Sequence, residues 1–299
     1  MKLATQLPDA ATLAGMDSKA LMGLENDIAR EFMGGVPWLA VAWGLGNLLV
    51  WLSLWPLTLM GILPLWVAFP IATLNVMLCY LPSHEAQHDI IARPGEPLRW
   101  LNQLVGFVST IPMVGPYRTL RLTHMEHHKH TNHPDLDPDI SSKAASISDF
   151  LKASIAKRQP KGDGNAGYTA ALERIGGPEA ALAKRDAAIF QLGFLAILFI
   201  SAATGHALEA ALLWWLPRHI GQTYISLVLS WAPHHPAENQ GRYKDTRAFR
   251  SWLGNIGTMG MQFHIIHHLH PRIPLTRTPA AYWALRPILV ARECDLAGL

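Results

Sequence analysis

The sequence predicts an all-α integral membrane protein: four transmembrane helices in two hairpins, carrying a helical polar cap that holds a metal site. Two observations predict it. Half of the 299 residues are hydrophobic, 16% are charged and 11 are tryptophan. With a mean hydropathy of +0.15, that is too apolar for a soluble domain of this size. The second observation is that eight of the 15 histidines fall in three clusters at helical spacing, outside the apolar runs.

Residues 1–34 are polar and mixed, and read as a soluble lead-in with nothing catalytic visible. Residues 36–55 and 57–82 carry no charge. Each is long enough to cross a hydrocarbon core of about 30 Å, and Pro56 marks the break of a first hairpin over 36–82. His84 and His88, an i, i+4 pair in HEAQH, follow at once at a membrane surface.

Residues 101–115 are apolar but short and interrupted by Pro112 and Gly115, which predicts an interfacial or re-entrant segment. Next comes THMEHHKH, where His124, His127 and His128 share one helix face until Pro134 ends the helix. Asp135, Asp137 and Asp139 alternate with prolines in a helix-stopping turn. Ile147, Phe150, Leu151 and Ile155 form an apolar stripe opposite Lys152, Lys157 and Arg158, the pattern of a helix lying on lipid. KRQPKGDGNAG, from Lys157, reads as a flexible loop.

A second hairpin spans 187–233, with its second arm running from about 207 into His234. Arg218 lies sixteen positions before His234, about 24 Å along a helix. That predicts Arg218 at the far interface, with 207–217 lying along it. His264, His267 and His268 repeat the triplet spacing in the polar stretch 234–299, as 83–186 holds the first two clusters. Because spans separate the clusters only in pairs, all three end on one side. Every Lys and Arg but Arg218, of 25 in all, lies there too, so that side is the cytoplasm.

Imidazole is the commonest nitrogen ligand for iron and zinc, and eight histidines in three helical clusters call for more than one metal ion. Cys79 and Cys294 suit neither a disulfide nor a cysteine-ligated metal. A net charge of +3 carries no nucleic-acid footprint, and no signal peptide is expected at the N-terminus. HEAQH also fits the zinc-protease signature, with Glu85 as base, but that reading leaves both triplets unexplained. A histidine-lined metal transporter would place its site near the membrane midplane instead.

HEAQH, HMEHH and HIIHH, in this order and with paired spans, resemble the three histidine boxes of the membrane fatty acid desaturase/hydroxylase superfamily, over most of residues 36–290. WAPHHP at 231–236 and HHLHPRIP at 267–274 look most like carotenoid (β-carotene) ring hydroxylases, although HHLxPxIP also occurs in acyl-lipid desaturases. The resemblance implies two ferrous ions held by His84, His88, His124, His127, His128, His264, His267 and His268, with His234 at the family's further histidine position. Some acyl-CoA desaturases have an Asn where this chain has Ser230. It further implies an O2-dependent oxidoreductase that desaturates or hydroxylates a long apolar lipid drawn from the bilayer. The chain lacks a cysteine cluster, a haem-attachment motif and a GxGxxG fingerprint, so a separate carrier, ferredoxin-like or similar, supplies electrons. Arg242, Lys244, Arg247 and Arg250 are candidates for its docking surface.

Overall fold

Asp9 and Asp17 cap the first two helices, α1 (Ala10–Gly15) and α2 (Ser18–Phe32), each carboxylate accepting from first-turn amides. Leu13, Leu21, Ile28 and Ala29 are buried from these helices against the C-terminal part of the chain. The computed structural model describes residues 7–140, 143–159, 164–297 and 299, and no strand occurs among the described residues. The loop expected from Lys157 runs partly through 160–163, outside the described residues.

Helix α3 (Trp38–Leu59) runs on through Pro56. The break comes later, where Gly61 takes φ +72° and Pro64 opens α4 (Leu65–Leu78). α5 (Tyr80–Gln87) continues α4, so Leu65–Gln87 is one 23-residue apolar stretch and Trp38–Leu59 another of 22, each long enough to cross a membrane. Asn47 and Asn75 cross-link them, each Nδ2 donating to the other's carbonyl at 2.9 and 2.7 Å. An amide side chain left unpaired in apolar surroundings would cost roughly 2–7 kcal/mol; the reciprocal pair avoids that.

The 101–115 stretch is half of a helical hairpin made by α6 (Arg99–Ser109) and α7 (Tyr117–His130). Gly44 lets α6 approach α3: a Cβ there would stand 2.6 Å from Ser109 Oγ. The tip dips between the long helices, where Val114 packs with Trp51, Phe194 and Trp214.

α8 (Ile147–Lys157) and α9 (Ala166–Ile175) lead to α10 (Gly177–Ala203), a third helix long and apolar enough to cross a membrane. Only 11% of its apolar window is buried by protein, so its apolar faces are left for lipid. Arg118 pairs with Asp186 near its start. The chain then turns into α11 (Ala207–Ala210), and helix continues through a π-helical segment (Ala211–Trp215), α12 (Leu216–Ile225), a second π-helical segment (Ser226–Trp231) and α13 (Ala232–His234).

Here the structure departs from expectation. Residues 207–217 do not turn along an interface. They prolong the helix, and Leu213 is fully buried among Leu54, Ala68 and Ala72. Arg218 stays mid-helix because the re-entrant tip and α10 supply its partners: Nε donates to the Met113 carbonyl at 3.2 Å, and the guanidinium lies over the Phe194 ring.

After α14 (Gly254–Gly257), α15 (His264–Leu269) and α16 (Thr278–Ala291) close the fold. α16 packs on α1 and α2 through Tyr282, Leu285, Ile288 and Leu289. Glu25 of α2, fully buried, receives Tyr243 Oη at 2.9 Å and Arg242 at 3.0 Å, with His270 Nε2 also at 3.0 Å. The lead-in thus holds the end of the third histidine box, since an unpaired buried carboxylate would cost several kcal/mol.

Candidate metal centre

Four helix ends meet at one point. α5 delivers His84 and His88, α7 delivers His124, His127 and His128, α13 ends on His234, and α15 delivers His264, His267 and His268. The i, i+3 and i, i+4 spacings aim the rings of each helix inward, and the result is two groups. His84, His88, His124 and His267 offer nitrogens all within 4.8 Å of one another, as do His127, His234 and His268.

The nitrogen spacings suit metal ions. His88 Nε2 stands 2.8 Å from His124 Nε2, and His128 Nε2 stands 3.1 Å from His124 Nε2 and 3.0 Å from His267 Nε2. Nitrogens each about 2.1 Å from one ion, and adjacent around it, would lie ~3 Å apart. His84 Nδ1, His234 Nε2 and His268 Nε2 are buried without a hydrogen-bond partner among the described residues, a state that bound metal would relieve. The His264 ring lies beside the second group, 4.7 Å from that of His268 and 5.2 Å from that of His234, with Nδ1 3.1 Å from Met261 Sδ.

Burial, reinforced by mutual repulsion, holds His88, His124, His128, His264, His267 and His268 well below the usual histidine range. They are neutral at pH 7, which is the ligand form. His127 differs. Burial lowers it, but Asp137 together with Asp139 and Asp245 outweighs burial, and the net shift is upward. Burial in turn pushes the Asp137 carboxyl up, while His127 and the amides of Asp139 and Asn132 outweigh burial and bring it below the ordinary range.

Asp137 is therefore more than part of a turn. Its Oδ1 accepts from His127 Nδ1 at 2.8 Å and from the Asp139 amide at 2.9 Å, and its Oδ2 accepts from the Asn132 amide at 2.8 Å. His234 Nδ1 donates to the Asp245 carbonyl at 3.1 Å, which also accepts from Asn132 Nδ2. These contacts set the ring orientations. The sequence signal for Asp137 was only its place among alternating prolines.

Glu85 is turned to another task. Its Oε1 accepts from the Leu275 amide at 2.6 Å, tying the first box to the loop after the third. The remaining histidines stand apart from the two groups: His133 Nδ1 accepts turn amides, His235 lies against Trp231, His206 faces Glu209 and His219 faces Trp215. His130 lies 3.7 Å from Glu126. Of the cations expected to dock a carrier, Arg242 is paired with Glu25, Lys244 donates to the Glu293 carbonyl and Arg247 to that of Ala232.

An all-helical protein with three apolar helices of membrane-crossing length and nine converging histidines is a membrane-type histidine-box protein. Its residues 60–294 match the model of the fatty acid desaturase family, and the chain belongs to that family. It is 24% identical over 245 residues to the sn-1 oleoyl-lipid 12-desaturase of Anabaena variabilis, covering 74% of this chain and 69% of that enzyme. Shorter matches join it to a Synechocystis sn-1 oleoyl-lipid 12-desaturase, 32% identical over 72 residues, and to a Nostoc sn-1 acyl-lipid omega-3 desaturase (ferredoxin), 33% identical over 72 residues. Each covers 24% of this chain and 20% of the relative.

Proposed function

We propose that the protein is an O2-dependent di-iron membrane oxidoreductase that introduces a double bond into the acyl chain of a lipid. The observation that carries this reading is the convergence of the three boxes into two adjacent imidazole groups, in a member of the fatty acid desaturase family. His84, His88, His124, His128 and His267 would hold one iron, and His127, His234, His264 and His268 the other. Bound irons supply the activation of O2 that removal of hydrogen from an unactivated chain demands. The residues themselves hold neutral nitrogens in place and exclude water by burial. Asp137 and the Asp245 carbonyl orient His127 and His234.

The balance is CH2–CH2 + O2 + 2 e− + 2 H+ → CH=CH + 2 H2O, so two electrons come from outside. A separate carrier supplies them, as the ferredoxin in the name of the Nostoc relative suggests. The topology that goes with this reading has four spans, the three long helices and the continuous 207–234 helix, and puts the histidines on the cytoplasmic side, where the basic residues gather.

A second reading, hydroxylation of a carotenoid ring, is favoured by WAPHHP at 231–236. Expression in a host that makes β-carotene, followed by analysis of acyl chains and pigments, separates the two. A new acyl double bond is expected. A hydroxylated pigment with an unchanged acyl profile would overturn the desaturase reading in favour of the second.

A further inference from the structure

Residues 251–260, between His234 and the third box, read from sequence as part of the polar stretch, yet no charged residue occurs from 251 to 263. Trp252 and Ile256 are each 93% exposed, with Leu253 partly exposed beside them. Together the three form an exposed apolar cluster, and such clusters mark interaction surfaces.

Contacts with the fourth long helix fix the depth of this segment. Tyr224 Oη donates to the Gly257 carbonyl. Tyr224 lies one turn from Gly221, whose Cβ position would stand 2.5 Å from Val76 Cγ1. Val76 follows Asn75, which is paired with Asn47, nine residues inside α3 from Trp38. Tyr224 therefore lies roughly 7.5 Å inward of Trp38 along the helix axes. Helical side chains lean towards the N-terminus, which for α12 is the far side of the membrane, so the hydroxyl and Gly257 are no shallower.

The backbone is prepared for such a place. Gly257 N donates to Leu253 O at 3.1 Å, Thr258 N to Gly254 O at 3.1 Å, Met259 N to Ile256 O at 2.9 Å and Gly260 N to Asn255 O at 2.8 Å. Internal pairing of this kind is what apolar surroundings require. Met259 and Met261 bind the segment inward, packing with Val76, Ile225 and Val228 of the long helices. α8 descends beside the same helix, from Trp231 Nε1 donating to the Ala144 carbonyl down to Arg158 donating to Thr223 Oγ1, and leaves Ile147 and Ile155 more than half exposed.

We propose that residues 251–260 insert into the bilayer leaflet on the histidine side, with Trp252 and Ile256 among lipid acyl chains. The segment then flanks the fourth helix on its lipid-facing side. This rests on the membrane reading of the long helices.

The test is a nitroxide at Ile256→Cys in a Cys294→Ser background, Cys79 being fully buried, with the full chain reconstituted in phosphatidylcholine–phosphatidylglycerol vesicles. Leu195→Cys on α10 serves as the lipid-facing reference and Gln240→Cys as the aqueous one. Collisions of the label with O2 and with a water-soluble nickel chelate are compared. At position 256 the O2-dominated pattern of position 195 is expected. The chelate-dominated pattern of position 240 would overturn the inference, and shielding from both reagents would overturn it in favour of a protein-covered surface. A chelate-dominated label at 195 would overturn the membrane reading itself, and the inference with it.

Discussion

His127 Nδ1 donates to Asp137 Oδ1 at 2.8 Å, and this contact leaves Nε2 as the nitrogen that His127 presents to His234 and His268. A carboxylate behind a ligand histidine fixes both tautomer and ring angle. Replacing Asp137 by Asn keeps the size and removes the charge, with an expected loss of about 10–100-fold in metal affinity. Iron per chain during a chelator titration measures it, with loss expected from one of the two groups first. Unchanged iron retention would show that the contact merely closes a turn.

Glu85→Gln separates the enzyme classes. Gln keeps an oxygen that can accept from the Leu275 amide, so iron content and acyl-chain conversion are expected to survive largely intact. If Glu85 were the base of a hydrolytic zinc site, its loss would cost roughly 10²–10⁴-fold in rate. A collapse of activity at full metal occupancy would therefore count against the desaturase reading.

His234 and His235 are adjacent, yet their rings part company: His234 lies 4.8 Å from the His127 ring, while His235 lies 4.6 Å from that of Trp231. His234→Ala is expected to abolish turnover and lose about one iron, because a ligand position opens. His235→Ala is expected to keep both irons and measurable turnover. Metal analysis of the two purified variants checks this, and the reverse pattern would contradict the assignment.

Much of this architecture is legible in the sequence because the bilayer imposes a coarse rule: long uncharged runs become helices. α3, the α4–α5 helix and α10 follow from it. Pro56 misled because a proline near the end of a helix need not end it, whereas Gly61 and Pro64 supply the break. Arg218 misled for a different reason. A guanidinium reads as an interface marker unless a partner is known, and its partner, the Met113 carbonyl, lies 105 residues away in the chain. Periodicity brings the histidines of each box to one face, but the division into two groups depends on how four helix ends meet. The supports of the site, Asp137 and Glu25, left no local signal: one looked like a turn residue and the other like an ordinary helix carboxylate. Nor does HHLHPRIP choose the substrate, since its pattern is common to acyl-lipid and carotenoid enzymes.

The measurement that bears most directly on the central claim is the metal content of the purified wild-type chain. Two imidazole groups, each built from buried nitrogens, predict two irons per chain, removable by a chelator together with the activity and restored by ferrous ion. One zinc per chain, with no iron and no dependence of activity on ferrous ion, would contradict the di-iron account.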